Sequence, residues 1–159
     1  MPVLDEVRSA NEQYSATFDK GELPMPPGRK FAVVTCMDAR LDPAKFLGLE
    51  EGDAHVIRNA GGLVNDETLR SLVISHHLLG TQEAIVIGHS DCGMLTFENR
   101  DVHAKLGPES HGIDFQPFPN VEQRVRDSVE TIRSHPLLSA SFAATGFVYH
   151  VESGRIEQV

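Results

Sequence analysis

Apolar residues along this chain follow two spacings, one helical and one of strand length, and the two alternate. Residues 3–18 place Leu4, Val7, Tyr14 and Phe18 on one narrow stripe of an otherwise polar segment. Such an amphipathic helix must lay its stripe on the body of the domain or on a second subunit. The Pro/Gly-rich stretch 21–30 ends it. Residues 31–35 (FAVVT) are a continuous apolar run, the pattern of a strand covered on both faces. Residues 43–49 then predict a short helix, and 54–59 (AHVIRN) a second strand closed by Gly61 and Gly62.

Asn65 is a helix N-cap for residues 66–79, with Asp66 and Glu67 in the first turn, and Gly80 stands where a C-terminal cap belongs. Leu69, Leu72, Val73 and Leu79 would form its inner face. Residues 83–89 (EAIVIGH) are the third and clearest strand. Residues 98–120, rich in Gly, Pro and His, read as a long surface loop. Pro119 and Asn120 open a helix with Val121, Val125, Val129 and Ile132 on one side, and residues 146–153 predict a final strand before a polar tail. Strands alternating with helices predict an α/β fold with a mostly parallel sheet, whose ligands bind beyond the carboxyl ends of the strands. No internal repeat or second domain interrupts residues 1–159.

Composition narrows the function classes. The 159 residues carry 14 Lys+Arg against 23 Asp+Glu, a formal charge of −9. That balance argues against a general nucleic-acid binder, which needs a basic surface. The N-terminal stretch lacks the basic and apolar regions of a secretory signal, and no run approaches the roughly 20 apolar residues of a membrane span. A cytoplasmic location, with reduced thiols and no membrane partner, is the expectation. Two cysteines are too few for a dense disulfide framework; they are one bridge, two buried thiols, or ligands.

Both cysteines fall at predicted strand ends. Cys36, Asp38 and Arg40 follow the first strand, and His89 and Cys92 close the third. One cysteine after a buried strand is usually a small core residue. Two of them on one sheet edge, with a histidine at Cys-ligand spacing, form a set of two thiolates and one imidazole that suits Zn²⁺. The fourth position is left to water, substrate or a carboxylate, and Asp38 is nearest. Cys36 and Arg40 are too close for a phosphatase loop, and the chain has no phosphate-binding loop.

At these residues the sequence resembles the β-class carbonic anhydrases, whose signature is a strand-end Cys-x-Asp-x-Arg followed by Gly-His-x-x-Cys-Gly. Here these read Cys36-Met37-Asp38-Ala39-Arg40 and Gly88-His89-Ser90-Asp91-Cys92-Gly93, and residues 52–62 and 71–89 resemble the intervening family segments. The resemblance covers residues 30–97 closely and the rest loosely. It implies a sheet of about four parallel strands plus a C-terminal edge strand, flanked by helices. It also implies Zn²⁺ on Cys36, His89 and Cys92, with Asp38 and Arg40 as a catalytic dyad.

The implied reaction is reversible hydration of CO₂ to bicarbonate and a proton, by attack of zinc-bound hydroxide. Arg40 would hold Asp38 off the metal; released, Asp38 would become a fourth ligand in a closed state. The resemblance further implies a homodimer or homotetramer, into which residues 1–20 fit as a helical arm. The chain departs from the family pattern in lacking a glutamine before the first strand and in carrying His55 where an aromatic is common. Hydrolysis of CS₂ or COS on the same zinc site, and a non-catalytic zinc-binding regulatory protein, are the alternatives. Asp91 and Ser90 are expected to do no more than cap the turn at Cys92, and Arg58 and Asn59 to brace the loop behind the site.

Overall fold

A computed structural model describes residues 2–138 and 141–159. A five-stranded sheet has the order β2-β1-β3-β4-β5. Its strands are β1 (Phe31–Cys36), β2 (Ala54–Asn59), β3 (Glu83–His89), β4 (Ala143–Tyr149) and β5 (Ile156–Gln158). The first four run parallel and β5 is antiparallel to β4. The helices are α1 (Val3–Ala16), α2 (Pro43–Leu47), α3 (Asp66–Leu79), α4 (Asn99–Leu106) and α5 (Val121–Ser134). The expected mostly parallel sheet with a C-terminal edge strand is what forms.

Side-chain alternation sorts the strands into two faces. Ala32 and Val34 of β1, Ala84 and Val86 of β3, and Ala144 and Val148 of β4 meet Leu72 of α3 and Val125, Val129 and Ile132 of α5 in one core cluster. Phe31, Val33 and Ile87 turn to the opposite face, where Phe46 and Leu47 of α2 cover them. Because both faces of β1 are covered, all six of its residues are buried, which explains its unbroken apolar run. Each Val or Ile buried here contributes about 1.5–3 kcal/mol.

Local signals set the helix ends. The Asn65 side chain accepts from the Thr68 amide at 3.1 Å, and Gly80 takes the left-handed conformation, so α3 spans the predicted 66–79. Asn120 caps α5 in the same way, accepting from the Gln123 amide at 2.8 Å.

Two expectations are corrected. Residues 98–120 are not all loop: α4 lies within them, held by a capping box in which the Glu98 amide donates to Asp101 at 2.8 Å. None of its residues is buried, so it has no apolar stripe to read. The last long strand covers 143–149 rather than 146–153, because β3, on which it pairs, ends at His89. The chain then turns through Gly154 (φ 72°) and returns as β5. Of the two surfaces expected to take the α1 stripe, its own domain does not cover it. Leu4 and Val7 are each 58% exposed and Tyr14 51%, and polar contacts from Tyr14 and Lys20 to Glu51 tie this segment down. Among the described residues, no helix is long and apolar enough to cross a membrane.

The packing of α5 on the sheet depends on two glycines. A Cβ on Gly88 would lie 2.6 Å from Val121, and one on Gly146 would lie 2.6 Å from Val125. Gly146→Ala should therefore cost about 1–3 kcal/mol in urea unfolding. Val125→Ala in the same chain should recover part of that loss; strict additivity of the two changes would contradict this packing.

Candidate metal centre

In this sheet order β2 lies on one side of β1 and β3 on the other, so the crevice between the carboxyl ends of β1 and β3 is the topological switch point. The parallel register pairs Thr35 with Ile87. The last residue of β1, Cys36, thereby comes beside the end of β3, where His89 stands. Cys92 follows one turn later, at the start of a short 3₁₀ turn (Gly93–Leu95). One ligand atom from each of Cys36, His89 and Cys92 lies within 4.8 Å of the others, and all three residues are buried.

The loops on either side fasten these donors. Arg58 donates from Nε to the Cys36 carbonyl (2.9 Å) and from Nη2 to the Asp38 carbonyl (2.8 Å). Asn59 closes the turn after β2, donating to the Leu63 carbonyl (2.9 Å) and accepting the Leu63 amide (2.6 Å). These are the bracing roles expected of both residues. Within that turn Gly62 has φ 61°, and a Cβ there would sit 2.9 Å from the Thr35 carbonyl carbon, so glycine is required. The turn brings the Gly61 amide to the Cys36 sulfur at 3.4 Å.

His89 donates from Nδ1 to the Ser90 carbonyl at 2.8 Å, which leaves the lone pair on Nε2. That Nε2 is fully buried and has no hydrogen-bond partner. A buried nitrogen acceptor without a donor is costly unless something binds it. The neighbouring Cys92 thiol, with backbone amides, holds the Cys36 thiol far below its ordinary value, while the same contact and burial push the Cys92 thiol up. Two soft sulfurs and a bare imidazole nitrogen fit zinc and do not fit calcium or magnesium.

Asp38 and Arg40 stand at the mouth of this cluster. The Asp38 carboxylate accepts the Arg40 amide (2.9 Å), Nε (3.0 Å) and Nη2 (2.8 Å). These contacts hold its carboxyl well below the usual carboxylate range. Asp38 Oδ2 nevertheless lies only 3.8 Å from His89 Nε2. A cavity of about 300 Å³ opens beside Asp38, Cys36 and Cys92 and is partly walled by Ala60, Met94 and Phe97.

Sequence reasoning missed two partners. Asp91 does not cap the turn at Cys92, which has no side-chain cap. Its carboxylate accepts Arg40 Nη1 at 2.7 Å and its carbonyl accepts Nη2 at 2.9 Å. Ser90 donates to Glu152 at 3.0 Å and accepts the Val151 amide at 2.9 Å, tying the His89 turn to the chain after β4. Neither partner is near in sequence, so no local spacing signals the contact. His55 pairs with Ala32 early in β2 and bonds Ser75 Oγ at 2.7 Å, far from the strand ends that carry the site.

A family model described as carbonic anhydrase matches residues 31–109. A β-carbonic anhydrase of Mycobacterium tuberculosis is 44% identical over 163 aligned residues, covering 100% of this chain and 99% of that protein. This chain belongs to the β-carbonic anhydrase family. A solved carbonic anhydrase from Streptococcus mutans shares its fold at a TM-score of 0.93 and 40% identity, covering 100% of this chain and 98% of that one. A carbon disulfide hydrolase from Acidianus is also similar, at 33% identity over 98% of this chain and 88% of its own length. The β-carbonic anhydrase fold thus places the Cys-His-Cys cluster of this chain at its switch point.

The Asp38–Arg40 pairing has a measurable sign. A carboxyl that folding acidifies stabilises the protein fully above its unfolded pKa, about 3.9, and loses that contribution as pH falls below it. In zinc-free protein, Asp38→Asn should lose less stability than the wild type between about pH 5 and pH 2, as followed by urea unfolding. Parallel pH profiles for the two proteins would show that Arg40 does not hold Asp38 ionised.

Proposed function

We propose that this chain catalyses the reversible hydration of CO₂ to bicarbonate and a proton. Cys36, His89 and Cys92 hold zinc, and Asp38 and Arg40 are the catalytic pair. The observation that carries this reading is the position of Asp38. Its carboxylate is close enough to the bare His89 Nε2 to compete for a metal, yet it is bound on three donors of Arg40. A purely structural zinc site has no use for an arginine that keeps a fourth ligand away.

Zinc supplies Lewis acidity, which makes a nucleophile of water near neutral pH. The chain's own residues do the rest. Asp38, kept ionised, accepts the O–H of the attacking water and so orients its remaining lone pair toward the substrate carbon. Ala60, Met94 and Phe97 give the cavity apolar walls suited to a small linear molecule without charge. Arg40 keeps its fork on Asp38 throughout. Release of that fork would free Asp38 to become the fourth ligand and shut the site.

A second reading, hydrolysis of CS₂ or COS, is favoured by the similarity to the Acidianus hydrolase and uses the same walls. Stopped-flow assays with each gas decide between the two: turnover of CS₂ without turnover of CO₂ would select the second. Under the first, Asp38→Asn should retain zinc and lose CO₂ hydration by about 10²–10⁴-fold, the usual weight of a positioned proton acceptor. Cys36→Ser should lose the zinc itself. Full activity in Asp38→Asn would remove Asp38 from the mechanism.

The same reading makes the chain a homodimer or homotetramer working in the cytoplasm, where free thiols stay reduced. The exposed Leu4, Val7 and Tyr14 of α1 are the surface a partner copy would cover. Light scattering should give a multimer for the wild type and a smaller species for the double variant Leu4→Glu/Val7→Glu. A wild-type monomer would contradict the assignment.

A further inference from the structure

We propose that Asp91 is a positioning residue that fastens Arg40 across the site, and that the catalytic pair of Asp38 and Arg40 is therefore a carboxylate–guanidinium–carboxylate triad. The proposal rests on the reading of Asp38 and Arg40 given above and adds a third member to it. Arg40 is 48% exposed at its side chain, and Asp38 and Arg40 both sit on the loop after β1. With Asp38 alone as partner, that ion pair could move as a unit, because nothing in the pair itself ties it to β3.

Asp91 supplies the tie. It belongs to the turn that carries His89 and Cys92, and it meets Arg40 twice, through its carboxylate at Nη1 and through its carbonyl at Nη2. The Nε and Nη2 edge of the guanidinium faces Asp38, and the remaining edge faces Asp91, so the planar fork is held from two sides. The backbone of Asp91 has φ 52°, a left-handed conformation that few residues other than glycine, asparagine and aspartate adopt readily. A cap at the following 3₁₀ turn does not account for the residue, since that turn receives none. Both contacts to Arg40 are made from this one conformation.

Two variants separate the contributions. Asp91→Gly removes the carboxylate, tolerates the left-handed backbone and retains the carbonyl contact; Asp91→Asn keeps an oxygen acceptor without charge. In zinc-free protein, ¹⁵N NMR of the Arg40 side chain reads rotation of the guanidinium directly, independent of any activity. Asp91→Gly should speed that rotation by about two- to five-fold, the weight of an exposed ion pair, with Asp91→Asn between it and the wild type.

In the zinc-loaded protein, kcat for CO₂ should fall by a similar factor with KM and zinc content unchanged, and Asp91→Asn should recover part of it. Unchanged Arg40 rotation in Asp91→Gly would overturn the proposal. So would loss of zinc from Asp91→Gly, which would make the residue a prop for the ligand turn. A wild type that hydrates no CO₂ would sink the proposed reaction, while the NMR result would still decide whether Asp91 fixes Arg40.

Discussion

The site depends on the parallel pairing of β1 with β3. Opposite Thr35 stands Ile87, and from that register the two strands deliver Cys36 and His89 to neighbouring points on one edge, with Cys92 one turn further on. A slip of one residue would reverse the faces of β1 and move Cys36 away from His89. The apolar alternation that prevents such a slip is therefore also what builds the donor set. Val34 and Val86 belong to the face under α5, and Val33 and Ile87 to the face under α2. Core packing and metal-site geometry are consequently one constraint seen at two positions along the same strands.

Around those donors the charges compete. Asp38 has two claims on it, from the guanidinium of Arg40 and from whatever occupies the lone pair of His89 Nε2, 3.8 Å away. Three hydrogen bonds from Arg40 decide the contest in this structure. Such a bidentate, charge-assisted pair is stronger than a single exposed ion pair, and it leaves Asp38 ionised and free to accept a hydrogen bond. Arg58 holds the carbonyls of Cys36 and Asp38 behind it, so the loop that carries both residues is fixed from its backbone side. The turn with Gly61 and Gly62 closes the third side, where the lack of a Cβ at Gly62 lets the chain approach β1.

Much of this was legible in the sequence because its signals are local. Helix α3 announces both ends through Asn65 and Gly80, and β1 and β3 announce themselves as buried by unbroken apolar runs. The donor set was legible because strand-end residues of neighbouring parallel strands must meet. What escaped detection depends on contacts between distant residues or on elements without an apolar face. The polar helix α4 has no stripe, and β5 is three residues long and mostly exposed. Asp91 looks like an ordinary turn acid until the fold brings it to Arg40, 51 positions earlier in the chain. The stripe on α1 was visible, but a stripe alone does not say which surface covers it.

The central claim is that the cluster at the β1–β3 edge is a zinc site that turns over CO₂. Restoring zinc stepwise to chelator-stripped protein, with CO₂ hydration followed by stopped-flow at each step, tests it most directly. The account predicts a rate that rises linearly and stops rising at about one zinc per chain, the capacity of a single three-ligand site. Fully loaded protein that hydrates CO₂ no faster than buffer at any pH would contradict it.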